Sequence, residues 1–206
     1  MKKYAAGFLL AIVVLLFMSA LGLAVIHLTD FPYTLDIDFL KLSESTGLSR
    51  DEILLNYNAV LSYLSPFNFS EFSLPTLGYS ATGVFHFIQV KFMFNAVYLA
   101  GFISALILAL LTIKKAVSKE TLWISGIITL IIPALLGFAL ASNFDRAFTL
   151  FHTLFFEGST WLFNPKVDQI INILPMDFFM HCAYLLAVFW VIGAAVQLAL
   201  SYKRKI

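Results

Sequence analysis

Four long apolar runs divide the chain, at about residues 5–26, 92–113, 122–141 and 178–200. None of the four runs contains Asp, Glu, Lys or Arg. A helix rises about 1.5 Å per residue, so about 20 residues cross the roughly 30 Å hydrocarbon core of a bilayer. The pattern therefore predicts an all-α polytopic membrane protein with four transmembrane helices.

The first run has a second interpretation. Lys2 and Lys3 precede it, and the small residues near its end resemble a signal-peptide cleavage site. The apolar region of a signal peptide is only about 7–15 residues long, which is shorter than this run. We therefore expect the first run to be a retained helix.

Two connections, residues 27–91 and 142–177, are much longer than a chain reversal requires. Loops longer than about 12–15 residues are usually functional or disordered, and these two are too apolar for disorder. We expect them to fold into a cap outside the membrane, so that residues 1–206 form a single membrane domain.

Local patterns predict helices inside the first connection. Ser49 and Glu52 have the spacing of a capping box, and apolar residues then recur at helical intervals. These features predict an amphipathic helix over about residues 50–64. A shorter helix is expected to start at Asp36, and residues 67–83, rich in turn formers, are expected to be irregular.

The composition supports a membrane protein. The chain is 61% hydrophobic and 12% charged, its mean hydropathy is +0.91, and its net charge is +1. These values exclude a soluble domain of this size and a disordered chain, and they predict no nucleic-acid partner. The single cysteine excludes an internal disulfide and a cysteine-rich metal site. No metal and no cofactor are expected.

The charges predict an orientation. Eight of the 13 basic residues lie in three short segments beside the runs, namely Lys2, Lys3, Lys114, Lys115, Lys119, Lys203, Arg204 and Lys205. By the positive-inside rule these segments are cytoplasmic. Both termini are then cytoplasmic, and the cap is extracellular.

Histidine provides the candidate chemistry. His86 precedes the second run and His152 follows the third, and a short inner connection joins those two runs. The outer ends of two such helices lie together, so we expect the two imidazoles to approach each other. His27 and His181 are less suggestive. Any one histidine at a membrane interface is more often a packing residue than a catalytic one.

Aromatic and basic residues surround both histidines. The chain has 22 phenylalanines, and many fall on the cap side, where they form an aromatic belt or an apolar pocket suited to an acyl chain. The predicted substrate-binding residues are Lys91, Arg146, Phe85, Phe151, Phe155, Phe156 and Trp161. The two basic residues would hold headgroup or oxyanion charge.

Other catalytic patterns are absent from the sequence. It contains no G-x-S-x-G, H-E-x-x-H or C-x-x-C motif, and Cys182 is more typical of a buried apolar residue than of a nucleophile. Acid/base catalysis by two histidines is thus the simplest enzymatic hypothesis. The alternative is a non-enzymatic small membrane transporter or assembly subunit with an extracellular binding cap. Spans without charged residues disfavour ion conduction.

The sequence F-H-T-L-F-F-E-G at residues 151–158, followed by W-L-F at residues 161–163, resembles the signature of the lipoprotein intramolecular transacylases (Lit) of Gram-positive bacteria. Asp168 and the downstream Leu-Pro and Phe-Phe pairs fit the same pattern. The resemblance covers most of the chain.

This resemblance implies an activity. The enzyme would move an acyl chain from the sn-2 position of a diacylglyceryl group to the α-amine of the N-terminal cysteine of a lipoprotein, giving the N-acyl lyso form. The family's two catalytic histidines would correspond to His86 and His152, and either one could be the base. The partners implied are a diacylglyceryl-modified lipoprotein and membrane lipid, with an extracellular active face in the cell membrane.

Overall fold

The structure is a computed structural model that describes residues 2–203, and over this range it is helical, without strands. Arg204 and Lys205, used above to predict orientation, lie outside the described residues. The elements are α1 (Lys2–Leu28), α2 (Phe31–Phe39), α3 (Leu42–Thr46), α4 (Arg50–Leu64), α5 (Ala81–Ile113), α6 (Lys119–Ser142), α7 (Phe144–Phe155), a short 3₁₀ helix (Gln169–Asn172) and α8 (Met176–Lys203).

Four of these helices are long and apolar enough to cross a membrane. The candidate spans are Lys2–Leu28, Ala81–Ile113, Lys119–Ala139 and Met176–Tyr202. Each includes most or all of one apolar run in the sequence. The prediction of an all-α protein with four membrane helices is therefore confirmed.

Two predicted helix starts differ from the structure. α5 begins at Ala81, well before residue 92, so His86 lies inside the helix and not ahead of it. Hydropathy detects only the apolar part of a helix, whereas hydrogen bonding continues through its polar first turns. α2 begins at Phe31 with a proline in its first turn, and the start predicted at Asp36 is wrong.

The amphipathic helix is confirmed. α4 runs from Arg50 to Leu64, and the side chain of Ser49 accepts a hydrogen bond of 3.2 Å from the Glu52 amide. This bond satisfies one of the amides that a helix start leaves without an intrahelical acceptor. The segment after α4 is irregular, as predicted, up to the start of α5.

The chain divides into two compact units. The bundle unit contains the residues up to Leu23, Val97–Ser142 and the residues from Ala183 onward. The loop unit contains Ala24–Ala96 and Asn143–Cys182.

Polar side chains within the bundle unit satisfy each other. Gln197 Nε2 donates to Thr129 Oγ1 at 3.1 Å, and Ser125 Oγ donates to Gln197 Oε1. All three side chains are buried. A polar group in hydrocarbon has no water to bind, so partners on neighbouring helices join α6 to α8.

Close helix contact in the bundle unit requires a glycine. A Cβ placed on Gly101 of α5 would lie 2.1 Å from the Cβ of Ala20 on α1. The two helices therefore approach at a distance that only glycine permits at this position.

The loop unit has its own aromatic core. The rings of Tyr33 and Tyr57 stack with centroids 3.7 Å apart, and Phe178 packs edge-on against Tyr33 at 5.2 Å. Tyr33 also donates its hydroxyl to the Ile173 carbonyl at 2.6 Å. This core joins α2, α4 and the first turn of α8, and burial raises the pKa of both tyrosines.

We expect Gly101→Ala to lower the free energy of unfolding by about 1–3 kcal/mol, because the new methyl group overlaps Ala20 and forces α1 and α5 apart. Gly137→Ala is the matched control, since a Cβ at that position meets nothing within 4 Å. The control should be neutral or gain up to about 1 kcal/mol of helix propensity. Thermal unfolding of both variants in the same detergent measures the difference, and equal stability would contradict the close contact.

Candidate active site

Asp168 fixes the start of α5, which holds His86. Its Oδ1 accepts a hydrogen bond of 2.8 Å from the Ser80 amide, and the Ser80 hydroxyl in turn accepts 3.0 Å from the Gly83 amide. Asp168 is buried. A Cβ on Gly83 would lie 2.5 Å from Asp168 Oδ1, so the carboxylate occupies the space next to a glycine. The first turn of α5 is therefore positioned by a residue far along the chain.

α7 positions His152. The side chain of Asn143 caps the helix by accepting 2.8 Å from the Arg146 amide, which separates α7 from α6. His152 lies one turn after Phe148, and its Nδ1 contacts the Phe148 carbonyl at 2.8 Å. A carbonyl can only accept, so Nδ1 carries the proton and donates it. In the neutral ring, Nε2 is then the unprotonated nitrogen, able to accept a proton.

The imidazoles of His86 and His152 lie close together. The ring centroids of His86 and His152 lie 5.9 Å apart with an angle of 33° between the planes. Both residues are buried, with 7% and 8% of their surfaces exposed. Phe156 contacts both rings, at 4.6 Å from His86 and 5.1 Å from His152. A substrate group between the rings is within hydrogen-bond reach of both.

Burial determines the charge state of His152. Loss of solvation lowers the pKa of His152 from its ordinary value, and the hydrogen bond to the Phe148 carbonyl partly opposes this shift. A lowered pKa keeps the imidazole neutral near pH 7. Its free nitrogen is then ready to act as a base.

Aromatic rings form the walls around the pair. Phe148 lies 4.0 Å from the His152 ring, Trp161 lies 4.9 Å from it, and Phe163 lies 5.4 Å from the ring of His86. Both histidines are buried among these rings, so water is a poor competitor there and electrostatic interactions are strong.

Two polar atoms of the site are buried without a hydrogen-bond partner in the described part of the chain. They are Nδ1 of His86 and Nε1 of Trp161. Buried polar atoms are nearly always paired, so both atoms point to a group that the protein itself does not supply.

The structure brings together some of the predicted substrate-binding residues. Phe151, Phe156 and Trp161 all pack against the ring of His152. Phe155 packs against Phe151 and is exposed, as is Phe85. Substrate contact by any of these residues stays a prediction.

The two predicted basic residues have different surroundings. The ammonium of Lys91 donates to the Asn68 carbonyl and lies 4.4 Å from the centroid of the Tyr63 ring. Arg146 is exposed in the first turn of α7. Their role in holding headgroup or oxyanion charge also stays a prediction.

The other two histidines have structural partners. His27 Nε2 lies 2.8 Å from the Leu61 carbonyl, and the ring stands edge-on to Phe94 at 5.6 Å. His181 Nδ1 lies 2.7 Å from the buried carboxylate of Asp36. These contacts join α1 to α4 and α8 to α2.

Sequence reasoning missed the contacts that position the site. Thr160 donates its hydroxyl to Gln89 Oε1 at 2.9 Å, which ties the turn before Trp161 to the helix that holds His86. The Phe148 carbonyl was missed as well, although its i−4 spacing from His152 is visible in the sequence. The pairing of Asp168 with Ser80 has no local signal, because the two residues are 88 positions apart.

We expect Asp168→Ala to lower the free energy of unfolding by about 1–3 kcal/mol, because it leaves the Ser80 amide without its acceptor at a partly buried helix start. Asp38→Ala is the control, since Asp38 is exposed and pairs with Arg50 at the surface. Such pairs contribute about 0–1 kcal/mol. Thermal unfolding compares the two variants, and an equal effect would argue against the role of Asp168.

Comparison with known proteins gives one consistent family. The model of the family described as lipoprotein intramolecular transacylase Lit matches residues 7–179. A solved structure of the membrane integral lipoprotein intramolecular transacylase Lit from Bacillus cereus is 30% identical, covers 99% of this chain and 97% of its own, and has a TM-score of 0.89.

Two further Bacillus cereus Lit structures are variants in which one histidine is replaced, by arginine or by alanine. They are 32% and 30% identical, cover 98% of this chain and 91% and 93% of their own, and have TM-scores of 0.80 and 0.76. No curated protein sequence matches the chain.

The transporter and assembly-subunit alternatives find no support in these comparisons. The family match extends over most of the residues, including both histidines of the site, and the structural similarity extends over nearly the whole chain. The chain therefore belongs to the lipoprotein intramolecular transacylase (Lit) family and is an acyltransferase.

Proposed function

We propose that the protein moves the sn-2 acyl chain of a diacylglyceryl-modified lipoprotein to the α-amine of the lipoprotein's own N-terminal cysteine, with His86 and His152 as the acid/base pair. The observation that carries the proposal is that two buried imidazoles lie together among aromatic rings, with their ring centroids 5.9 Å apart. The histidine-substituted Bacillus cereus structures are consistent with a site that depends on histidine.

His152 is the base in this proposal. Its Nδ1–H is committed to the Phe148 carbonyl, so the lone pair of Nε2 is the one left to accept a proton from the substrate. The α-amine attacks the carbonyl carbon of the sn-2 ester, a C–N bond forms, and the carbonyl electrons move onto oxygen. Nε2 of His152 removes one proton from the attacking nitrogen. A positioned base contributes typically about 10²–10⁴-fold to the rate.

His86 delivers a proton to the leaving group. The cyclic tetrahedral intermediate collapses, the C–O bond to the glyceryl group breaks, and the glyceryl oxygen takes the proton that His152 removed, with His86 as the relay. One proton leaves the amine and one reaches the alkoxide. An ester and an amine thus become an amide and an alcohol without a change in total protonation.

The aromatic rings around the histidines contribute to the rate by positioning the substrate. Donor and acceptor belong to one molecule, so the enzyme's task is to hold the ester and the amine against each other. Close, oriented groups behave as if they were present at very high concentration. Phe148, Phe156 and Trp161 form rigid apolar surfaces suited to the first carbons of an acyl chain.

The location follows from the charge pattern of the sequence. We propose that both termini are cytoplasmic and that the loop unit lies on the extracellular side, where diacylglyceryl lipoproteins are found. The substrate then reaches the site from the outer leaflet, and residues 1–206 act as a single membrane enzyme.

We expect His86→Ala and His152→Ala each to abolish formation of the N-acyl lyso-lipoprotein, a loss of at least about 10²-fold, because each removes one proton-transfer group. The measurement is mass spectrometry of lipoprotein N-termini in a heterologous host that lacks the activity.

His27→Ala is the control for these two variants. It removes a histidine bonded to the Leu61 carbonyl, outside the pair, and should leave at least partial activity per amount of folded protein. Full product from His86→Ala or from His152→Ala would refute the two-histidine mechanism.

We expect His152 to titrate below about 6.5, the ordinary histidine value, because burial lowers its pKa. The base form therefore persists to lower pH than in a solvated histidine, and the loss of activity caused by protonation of His152 should reach its midpoint below about pH 6.5. Histidine-selective ¹⁵N NMR measures the titration, with the spectrum of His152→Ala identifying the signal. A titration at or above about 6.5 would contradict the burial argument.

A further inference from the structure

The indole N–H of Trp161 lacks an acceptor among the described residues. Its nitrogen is buried, and the ring lies 4.9 Å from the His152 ring and 6.3 Å from Phe148. A buried donor without an acceptor has lost its bond to water and gained none in return, which is the full desolvation penalty of the group. Proteins rarely retain such a donor without a use for it.

Another tryptophan in the chain shows the ordinary arrangement. Nε1 of Trp190, in the bundle unit, donates to Ser19 Oγ at 2.9 Å. The unpaired donor is thus a property of the position of Trp161 and not of tryptophan in this protein.

The indole of Trp161 is held in place. The preceding residue, Thr160, donates to Gln89 Oε1 at 2.9 Å, and Gln89 lies one turn after His86 on α5. The Phe163 amide donates to the Trp161 carbonyl at 3.1 Å. One hydrogen bond therefore ties the residue before Trp161 to the helix of His86, and the indole itself packs against His152.

We propose that the Trp161 N–H donates a hydrogen bond to the acyl oxygen of the substrate as that oxygen becomes the oxyanion of the tetrahedral intermediate. The inference rests on the proposed function, because it requires the ester to react between the two histidines. A carbonyl carbon attacked by an amine on His152 places its oxygen beside the indole that packs on that same imidazole.

The chemistry suits an indole. The N–H is a donor only and does not ionise near neutral pH, so it stabilises the oxygen while no bond to Trp161 forms or breaks. The proton transfers stay with the two histidines. A fixed donor in a dry site strengthens as charge develops on the oxygen, so it stabilises the transition state more than the bound ester.

The alternative cations are less well placed for this role. The Lys91 ammonium already has the Asn68 carbonyl and the Tyr63 ring as partners. Arg146 is exposed to solvent, where a guanidinium interaction is screened. The indole of Trp161 packs against the ring of His152, and its buried N–H has no acceptor among the described residues.

The test removes the N–H while keeping the ring. Trp161→Phe loses the donor and part of the ring. Replacement of Trp161 by benzothienylalanine, which has sulfur in place of N–H, loses the donor but keeps the bicyclic shape. Each protein is assayed in proteoliposomes with a synthetic diacylglyceryl lipopeptide, and kcat and KM are measured separately. Thermal unfolding confirms that each protein is folded.

We expect both variants to lose about 10²–10³-fold in kcat, as enzymes do when one oxyanion donor is removed, with KM changed by less than about twofold. Trp190→Phe, which removes the same chemical group at a paired position, should leave kcat unchanged. A normal kcat for the benzothienylalanine protein would overturn the inference, since only ring shape would then matter. A raised KM with unchanged kcat would overturn it too.

The histidine variants keep the two proposals separate. If His86→Ala and His152→Ala are inactive in this assay while both Trp161 replacements are fully active, the oxyanion donor is wrong and the two-histidine mechanism stands. If either histidine variant is fully active, the proposed function itself fails.

Discussion

Exclusion of water from the meeting point of α5 and α7 is the constraint on which the site depends. His86 and His152 are buried among aromatic rings, and burial lowers the pKa of His152, which keeps its Nε2 unprotonated. The same dryness makes each hydrogen bond in the pocket stronger than it would be in water, and it makes an unpaired donor such as the Trp161 N–H costly until substrate arrives. The proposed proton transfer and the proposed oxyanion stabilisation thus both depend on the exclusion of water.

The helix that carries His86 is positioned by distant parts of the chain. Asp168 fixes the first turn of α5, and the bond from Thr160 to Gln89 ties the turn before Trp161 to the same helix. These contacts lie within the loop unit, which also has the tyrosine core around Tyr33. A site formed on packed helices loses less precision to thermal motion than one formed on free loops.

Sequence reasoning succeeded where the physics is periodic or local. Hydropathy identified four spans, and the Ser49 capping box predicted α4 with correct ends. Sequence reasoning failed where tertiary contacts determine where a helix begins or which nitrogen of a histidine carries the proton. The polar first turns of α5 are stabilised by Asp168, far along the chain, and the tautomer of His152 depends on its side-chain rotamer as well as on spacing. The proximity of the two histidines was predictable because a short connection joins α5 to α6, and α7, which carries His152, follows α6 directly in the chain.

The packing of Asp168 against Gly83 also has an evolutionary consequence. Any side chain at position 83 would overlap the carboxylate, and loss of the carboxylate would leave a helix amide unpaired. Each contact restricts its own position, so we expect this glycine and this aspartate, although remote in the chain, both to be retained wherever this helix start is retained.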